Sequence, residues 1–239
     1  MPTFRVVKFL GSLFTPDFNI SNSLKIANTA VEVLGDRLNG PPSILPIPQD
    51  APSEIPRITL SSSDKKLNIS ISLQRTNLFS DVPAGIDTEE IDINEYSSIS
   101  SVFFSEFQKR LDLRVQRMGF VTERVELRKD ALTYILERFC NKSQIEKGRP
   151  FYNAKRFEIH SLKKYDWEGL SINSWVRAKF LPVRMKDMQQ VEPILLVEND
   201  LNTLSIDEDP GAKFTEADIK KFFERAPGHI EEILQLYFT

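Results

Sequence analysis

Apolar and polar positions recur with two different periods along this chain, and the changes of period mark its elements. FRVVKFLGSLF, residues 4–14, alternates imperfectly, as a strand buried over much of its surface does. Leu24, Ala27, Val31, Leu34 and Leu38 then recur at steps of three and four, a helical spacing, with Ser21 or Ser23 as the cap and Gly40, Pro41 and Pro42 as the stop. GPPSILPIPQDAPSEIP holds six prolines in 17 residues, which removes backbone donors and imposes an extended course. In LNISISLQ, Leu67, Ile69, Ile71 and Leu73 alternate with polar residues, and with SSDKK as its turn PRITLSSSDKKLNISISLQRTNLF reads as a hairpin. The acidic run DVPAGIDTEEIDINE predicts a solvated connection. It leads to an amphipathic helix over about 95–118, with Tyr96, Ile99, Val102, Phe103, Phe107, Leu111, Val115 and Met118 on one face and a basic C-terminal end.

The second half repeats that order. FVTERVEL predicts a strand with Val121, Glu123, Val125 and Leu127 on one side, and KDALTYILERFCN a short helix capped by Asp130. RFEIHSLKKYDWEGLSINSWVRAKF predicts two strands around a turn at Asp166 to Gly169, and PILLVEND a further strand. FTEADIKKFFERAPGHIEEILQLYF closes as a helix with Thr215 and Asp218 in a capping box, and Pro227 inside it predicts a kink or a break at Ala226. Strand, helix, hairpin and helix thus occur twice, which divides the chain into an N-terminal half, 1–118, and a C-terminal half, 119–239. The expected class is α+β: two topologically similar halves, with antiparallel sheets and helices packed on one side.

With 239 residues and 41% hydrophobic side chains, the chain is long enough and apolar enough to bury a core. The net charge of −3 argues against a general polyanion binder, but the charge is unevenly spread. Residues 1–141 carry 16 basic and 18 acidic groups, residues 142–190 carry 11 and 5, and residues 191–239 carry 4 and 11. A +6 segment is therefore followed directly by a −7 segment, so the two are expected to face each other or to face partners. A lone cysteine, Cys140, excludes an internal disulfide and a multi-thiolate zinc site. No run of 18 apolar residues and no signal-peptide pattern occurs, so the expectation is a cytoplasmic protein without membrane contact.

The proline-rich loop, PRITLSSSDKKLNISISLQRTNLF, GLSINSWVRAKF, the acidic END-x-NT segment and a closing helix ending LQLYFT together resemble a sporadically distributed bacterial family of roughly 250-residue α+β proteins of unassigned function. The resemblance implies a bacterial cytoplasmic protein, encoded beside a partner, in a mobile or defence-related gene setting. It supplies no catalytic residue.

Candidate chemistry is sparse. VENDLNTLSIDEDPGAKF concentrates Asp200, Asn202, Asp207, Glu208 and Asp209, yet an EF-hand starting at Asp200 would need a ligand where Leu204 stands, glycine where Ser205 stands and a carboxylate where Gly211 stands. No metal and no cofactor is expected. His160 and His229 are the only histidines, and neither a GxSxG elbow nor a phosphate-cradling glycine loop occurs. An enzyme of unrecognised type would need a pocket converging on His160 or Asp166. Lys155, Arg156, Lys163, Lys164, Arg177 and Lys179, with Tyr165, Trp167 and Trp175 nearby, form a candidate nucleic-acid surface on adjacent strands. The favoured expectation is a non-enzymatic interaction or regulatory protein that binds a protein partner or itself, with nucleic-acid sensing as the alternative.

Overall fold

The computed structural model describes residues 4–16, 18–48, 50–81, 91–184, 191–205 and 207–238. Among the described residues nine strands form one antiparallel sheet: β1 (Arg5–Phe14), β2 (Ser43–Ile44), β3 (Ile58–Ser61), β4 (Asn68–Ile71), β5 (Arg75–Asp81), β6 (Arg117–Leu127), β7 (Glu158–Trp167), β8 (Leu170–Arg184) and β9 (Val191–Thr203). Among the described residues five α-helices accompany it, α1 (Ser23–Leu34), α2 (Ile93–Leu111), α3 (Ala131–Phe139), α4 (Lys142–Ile145) and α5 (Glu216–Phe238), with a 3-10 turn at Gly35–Leu38. The sheet order is β2-β3-β4-β5-β1-β6-β9-β8-β7. In each half the first strand lies at the centre, a helix crosses outward, and strands return inward to a second helix: four in the first half, β2 to β5, and three in the second, β7 to β9. The expected hairpins are therefore parts of longer meanders, and the two halves share one continuous sheet through the β1/β6 pair, in which Gly11 lies opposite Phe120. No described helix is long and apolar enough to cross a membrane.

The core lies between the sheet and α2 and α5. Phe9 and Leu13 of β1, Phe120 of β6, Phe103, Phe104 and Phe107 of α2, and Phe222 and Phe223 of α5 are all fully buried. Gly11 permits this closeness: a Cβ there would lie 2.9 Å from a ring carbon of Phe104 and 3.2 Å from one of Phe223. The face of α2 that meets α5 is rich in serine, with Ser97, Ser100, Ser101 and Ser105 buried, whereas Val102, expected on the apolar face, is half exposed. The hydroxyls of Ser100 and Ser105 bond back to the carbonyls of Tyr96 and Ser101, which satisfies them internally.

Several boundaries differ from the sequence reading for local reasons. The second helix ends at Leu111, not at 118, because Asp112 takes a left-handed conformation (φ 50°) and its N–H bonds back to Gln108 and Lys109. Met118 and Arg117 consequently belong to β6, and Val115 bridges to Phe214. The first helix is capped by Asn22 and not by serine, its side chain accepting from the Lys25 N–H at 3.0 Å. Asp130 precedes α3 without a capping bond and pairs with Arg128. Most of the acidic run before α2 lies outside the described residues.

The capping box is formed, with Thr215 N–H bonded to Asp218 and Asp218 N–H to the Thr215 hydroxyl. Pro227 does not break α5. It deprives the Phe223 carbonyl of its intrahelical donor, and the Ser97 hydroxyl of α2 donates to that carbonyl instead. Ser97→Ala should cost about 1–3 kcal/mol, because a buried acceptor loses its donor. In a Pro227→Ala background the residue-227 N–H takes over, so the same substitution should cost less by at least about 1 kcal/mol. Denaturant unfolding of the four-member cycle measures this coupling, and equal penalties in both backgrounds would contradict it.

Candidate interaction surface: the uncovered sheet face

α2 and α5 lie on one side of the sheet, flanked by α1 against α2 and by α3, whose Phe139 packs on Tyr237 and Phe238. The opposite side is covered by no described helix. Strand alternation and register assign its residues in rows that cross the strands. One row is charged and runs Asp81, Lys8, Glu123, Glu198, Arg177, His160 across β5, β1, β6, β9, β8 and β7. The next runs Phe79, Leu10, Val121, Asp200, Trp175, Leu162 and is mainly apolar. The third is polar, with Asn77, Ser12, Gly119, Asn202, Asn173 and Lys164. Gly119 is required there, since a Cβ would lie 2.8 Å from the Asn202 amide oxygen. Beyond this row, the guanidinium carbons of Arg117 and Arg75 stand 4.9 and 5.7 Å from the Phe14 ring centre.

The charges are locally matched. Lys8 bonds Glu123 at 2.8 Å; burial alone would lower its pKa, but Glu123, Asp81 and Glu198 raise it above the ordinary value. Arg177 is held between Glu198 and Asp200 and stacks on Trp175 at 4.9 Å. Arg117 is partly desolvated, which lowers its pKa, and its Nε is buried without a hydrogen-bond partner. The acidic cluster that begins at Asp200 also answers cations. Glu208 accepts from Lys164, from the Ser205 N–H at 3.1 Å and from Asn173 at 3.0 Å. Among the described residues, no group of three histidine, cysteine or carboxylate side chains is placed to hold a metal ion.

The basic and aromatic residues singled out from the sequence do not share a surface. Lys164, Arg177 and Lys179 lie on the uncovered face with Trp175. Lys163 and Trp167, with Tyr165, alternate to the helix side, where Trp167 stacks on His229 with ring centres 4.7 Å apart. Lys155 and Arg156 precede β7, and Arg156 pairs with Glu158 at 2.5 Å. His160 and Asp166 are exposed on the uncovered face, and Asp166 accepts from Ser171 at 2.8 Å. A cavity of about 390 Å³ opens elsewhere, between the end of β1, the start of α1 and the end of α2, and neither His160 nor Asp166 lines it.

Two arrangements escaped the sequence reading. Arg124 is fully buried on the helix side, bonded to Thr122 at 2.7 Å, to Asn199 at 3.1 Å and to Glu231 of α5. Glu232, His229 and Tyr165 form a hydrogen-bonded chain, 3.1 Å from carboxylate to Nδ1 and 2.6 Å from Nε2 to the phenol, whose pKa burial raises. The three-residue spacing of His229 and Glu232 was visible in the sequence; the approach of Tyr165 from a strand was not.

The pKa of Glu208 is pulled from 4.5 to about 2, first by Lys164 and then by Ser205 and Asn173. Unfolded, this carboxyl takes up its proton near its ordinary value; folded, it resists until about pH 2. Its contribution to stability is therefore complete above roughly pH 5 and is lost as the pH falls through that window. Glu208→Gln should flatten the fall in stability between about pH 5 and pH 2 and leave the slope above about pH 6 unchanged. Thermal unfolding against pH measures this, and parallel curves for variant and wild type would contradict it.

No protein-family model, no curated protein and no solved structure matches this chain.

Proposed function

We propose that this protein works by binding and not by catalysis, receiving a protein partner on the uncovered face of its sheet. The observation that carries this reading is the composition of that face. Arg5, Lys8, Arg75, Arg117, Lys164, Arg177 and Lys179 are equalled in number by Asp81, Glu123, Glu158, Asp166, Glu192, Glu198 and Asp200. A surface for nucleic acid needs an excess of positive charge to displace counterions from phosphates. Matched charges beside an apolar row with a tryptophan suit a protein surface of mixed charge, which the ion pairs orient and the apolar row holds.

Trp175 is the anchor in this reading, since tryptophan beside arginine dominates many interfaces. Affinity capture from the native host with the wild-type chain should recover a partner. Trp175→Ala should weaken that complex by about tenfold or more without unfolding the chain. Recovery of the same partner at the same strength by both would sink the reading. A wild-type chain held on a single-stranded DNA or RNA column, and released by Lys163→Ala with Lys164→Ala, would support nucleic-acid sensing in its place.

A further inference from the structure

β7 ends the sheet, and along its free side no described strand pairs with its backbone. It is ten residues long and keeps an unbroken register with β8 from Glu158 to Trp167, without proline or bulge. The other end of the sheet is the two-residue β2. A long, regular, unpaired edge is a template for a further strand. We propose that the occupant is a second copy of this chain, its β7 antiparallel to the first about a two-fold axis through Ser161.

Charge narrows the register. In a symmetric antiparallel pair, residues directly opposite share a face of the sheet, so each possible axis passes through a residue paired with itself. An axis at His160 puts Arg156 opposite Lys164; one at Leu162 puts Glu158 opposite Asp166; axes at Lys163 or Lys164 put lysine on lysine. Like charges directly opposite are destabilising. With the axis at Ser161, Glu158 stands opposite Lys164 and Arg156 opposite Asp166, each twice, and no like charges meet.

A second observation points to the same edge. On the helix side, the Ser161 hydroxyl meets the Tyr237 hydroxyl, which brings the last turn of α5 over the position of the proposed axis. Leu236 in that turn is 78% exposed, the highest value among the exposed large hydrophobic residues described. It borders a cavity of about 100 Å³ lined also by Tyr165, His229 and Ile233. Pairing about Ser161 brings the two Leu236 turns together across the axis and removes them from water, a stabilisation that edge pairing elsewhere along β7 would forgo. The dimer would extend the uncovered face across both copies. It does not depend on what that face binds.

Sedimentation equilibrium of the full chain at roughly 1–100 µM should show a reversible dimer. Glu158→Lys alone and Lys164→Glu alone should each weaken it by about tenfold, because either places like charges opposite at two symmetric positions. Mixing the two variants should restore dimers, since each pair across the axis is then again of opposite sign. In a Cys140→Ser background, Ser161→Cys should cross-link on oxidation, the opposed Cα atoms lying about 4.5–5.5 Å apart. Lys163→Cys, displaced along the strand from its counterpart, should not. A chain that stays monomeric throughout, a dimer indifferent to both charge reversals, or faster cross-linking at position 163 than at 161 would overturn the proposal. Both charge reversals lie on exposed or edge positions, and circular dichroism of each variant verifies its fold.

Discussion

The contact on which the rest of the structure depends is that between α2 and α5 over the central strands. Pro227 leaves a carbonyl in the middle of α5 without its backbone donor, and a buried carbonyl without a partner is costly. Ser97 of α2 fills that place, so the two helices, one from each half of the chain, meet through a hydrogen bond as well as through packing. Small serines on α2 and the missing Cβ of Gly11 let them come close to each other and to β1, with the tilted rings of Phe104 and Phe223 centred 4.9 Å apart above the glycine. A proline that would disrupt an isolated helix is tolerated here because a neighbouring helix supplies what it removes.

From that contact the division of the molecule follows. With the helices gathered on one side, most inward residues of the sheet are committed to a core, and buried Arg124 is held there by Thr122, Asn199 and Glu231. Most outward residues are released from that demand, apart from a small apolar cluster of Val125 and Ile194 with Leu181 and Leu196. They form rows in which cations and carboxylates neutralise one another across neighbouring strands, as Lys8 does with Glu123 and Arg177 with Glu198. The segments of opposite net charge seen in the sequence meet here: Arg177 and Lys164 of the basic stretch find Glu198, Asp200 and Glu208 of the acidic one. The acidic stretch therefore serves as strand, turn and counter-charge, with its last residues leading to the cap of α5.

The duplicated topology has a cost at its ends. A central strand that begins each half leaves the outermost strand of each half with one unpaired side, and the two halves differ in how they close it. The first ends in a short strand amid a proline-rich segment, which offers few backbone donors. The second ends in the long, regular β7, guarded only by its charges. That difference makes the two edges unequal as surfaces.

Much of the fold was legible in the chain because it is local. The alternation of Leu67, Ile69 and Ile71, the Thr215 and Asp218 cap, and the turn before Leu170, where Glu168 and Gly169 both take positive φ, depend on residues a few positions apart. So did the order of elements and hence the α+β class with helices on one side. What the tertiary structure decided was which face of each strand is buried, and which residues from distant segments meet there. Lys163 and Lys164 are adjacent in the chain yet point to opposite sides of the sheet, so a basic cluster read along the sequence divides when the strands pair. The contacts of Ser97, Arg124 and Tyr165 left no trace in the sequence because their partners, Phe223, Glu231 and His229, lie in a helix more than sixty positions away. Local periodicity determines an element; its environment is set by strands and helices that only folding brings beside it.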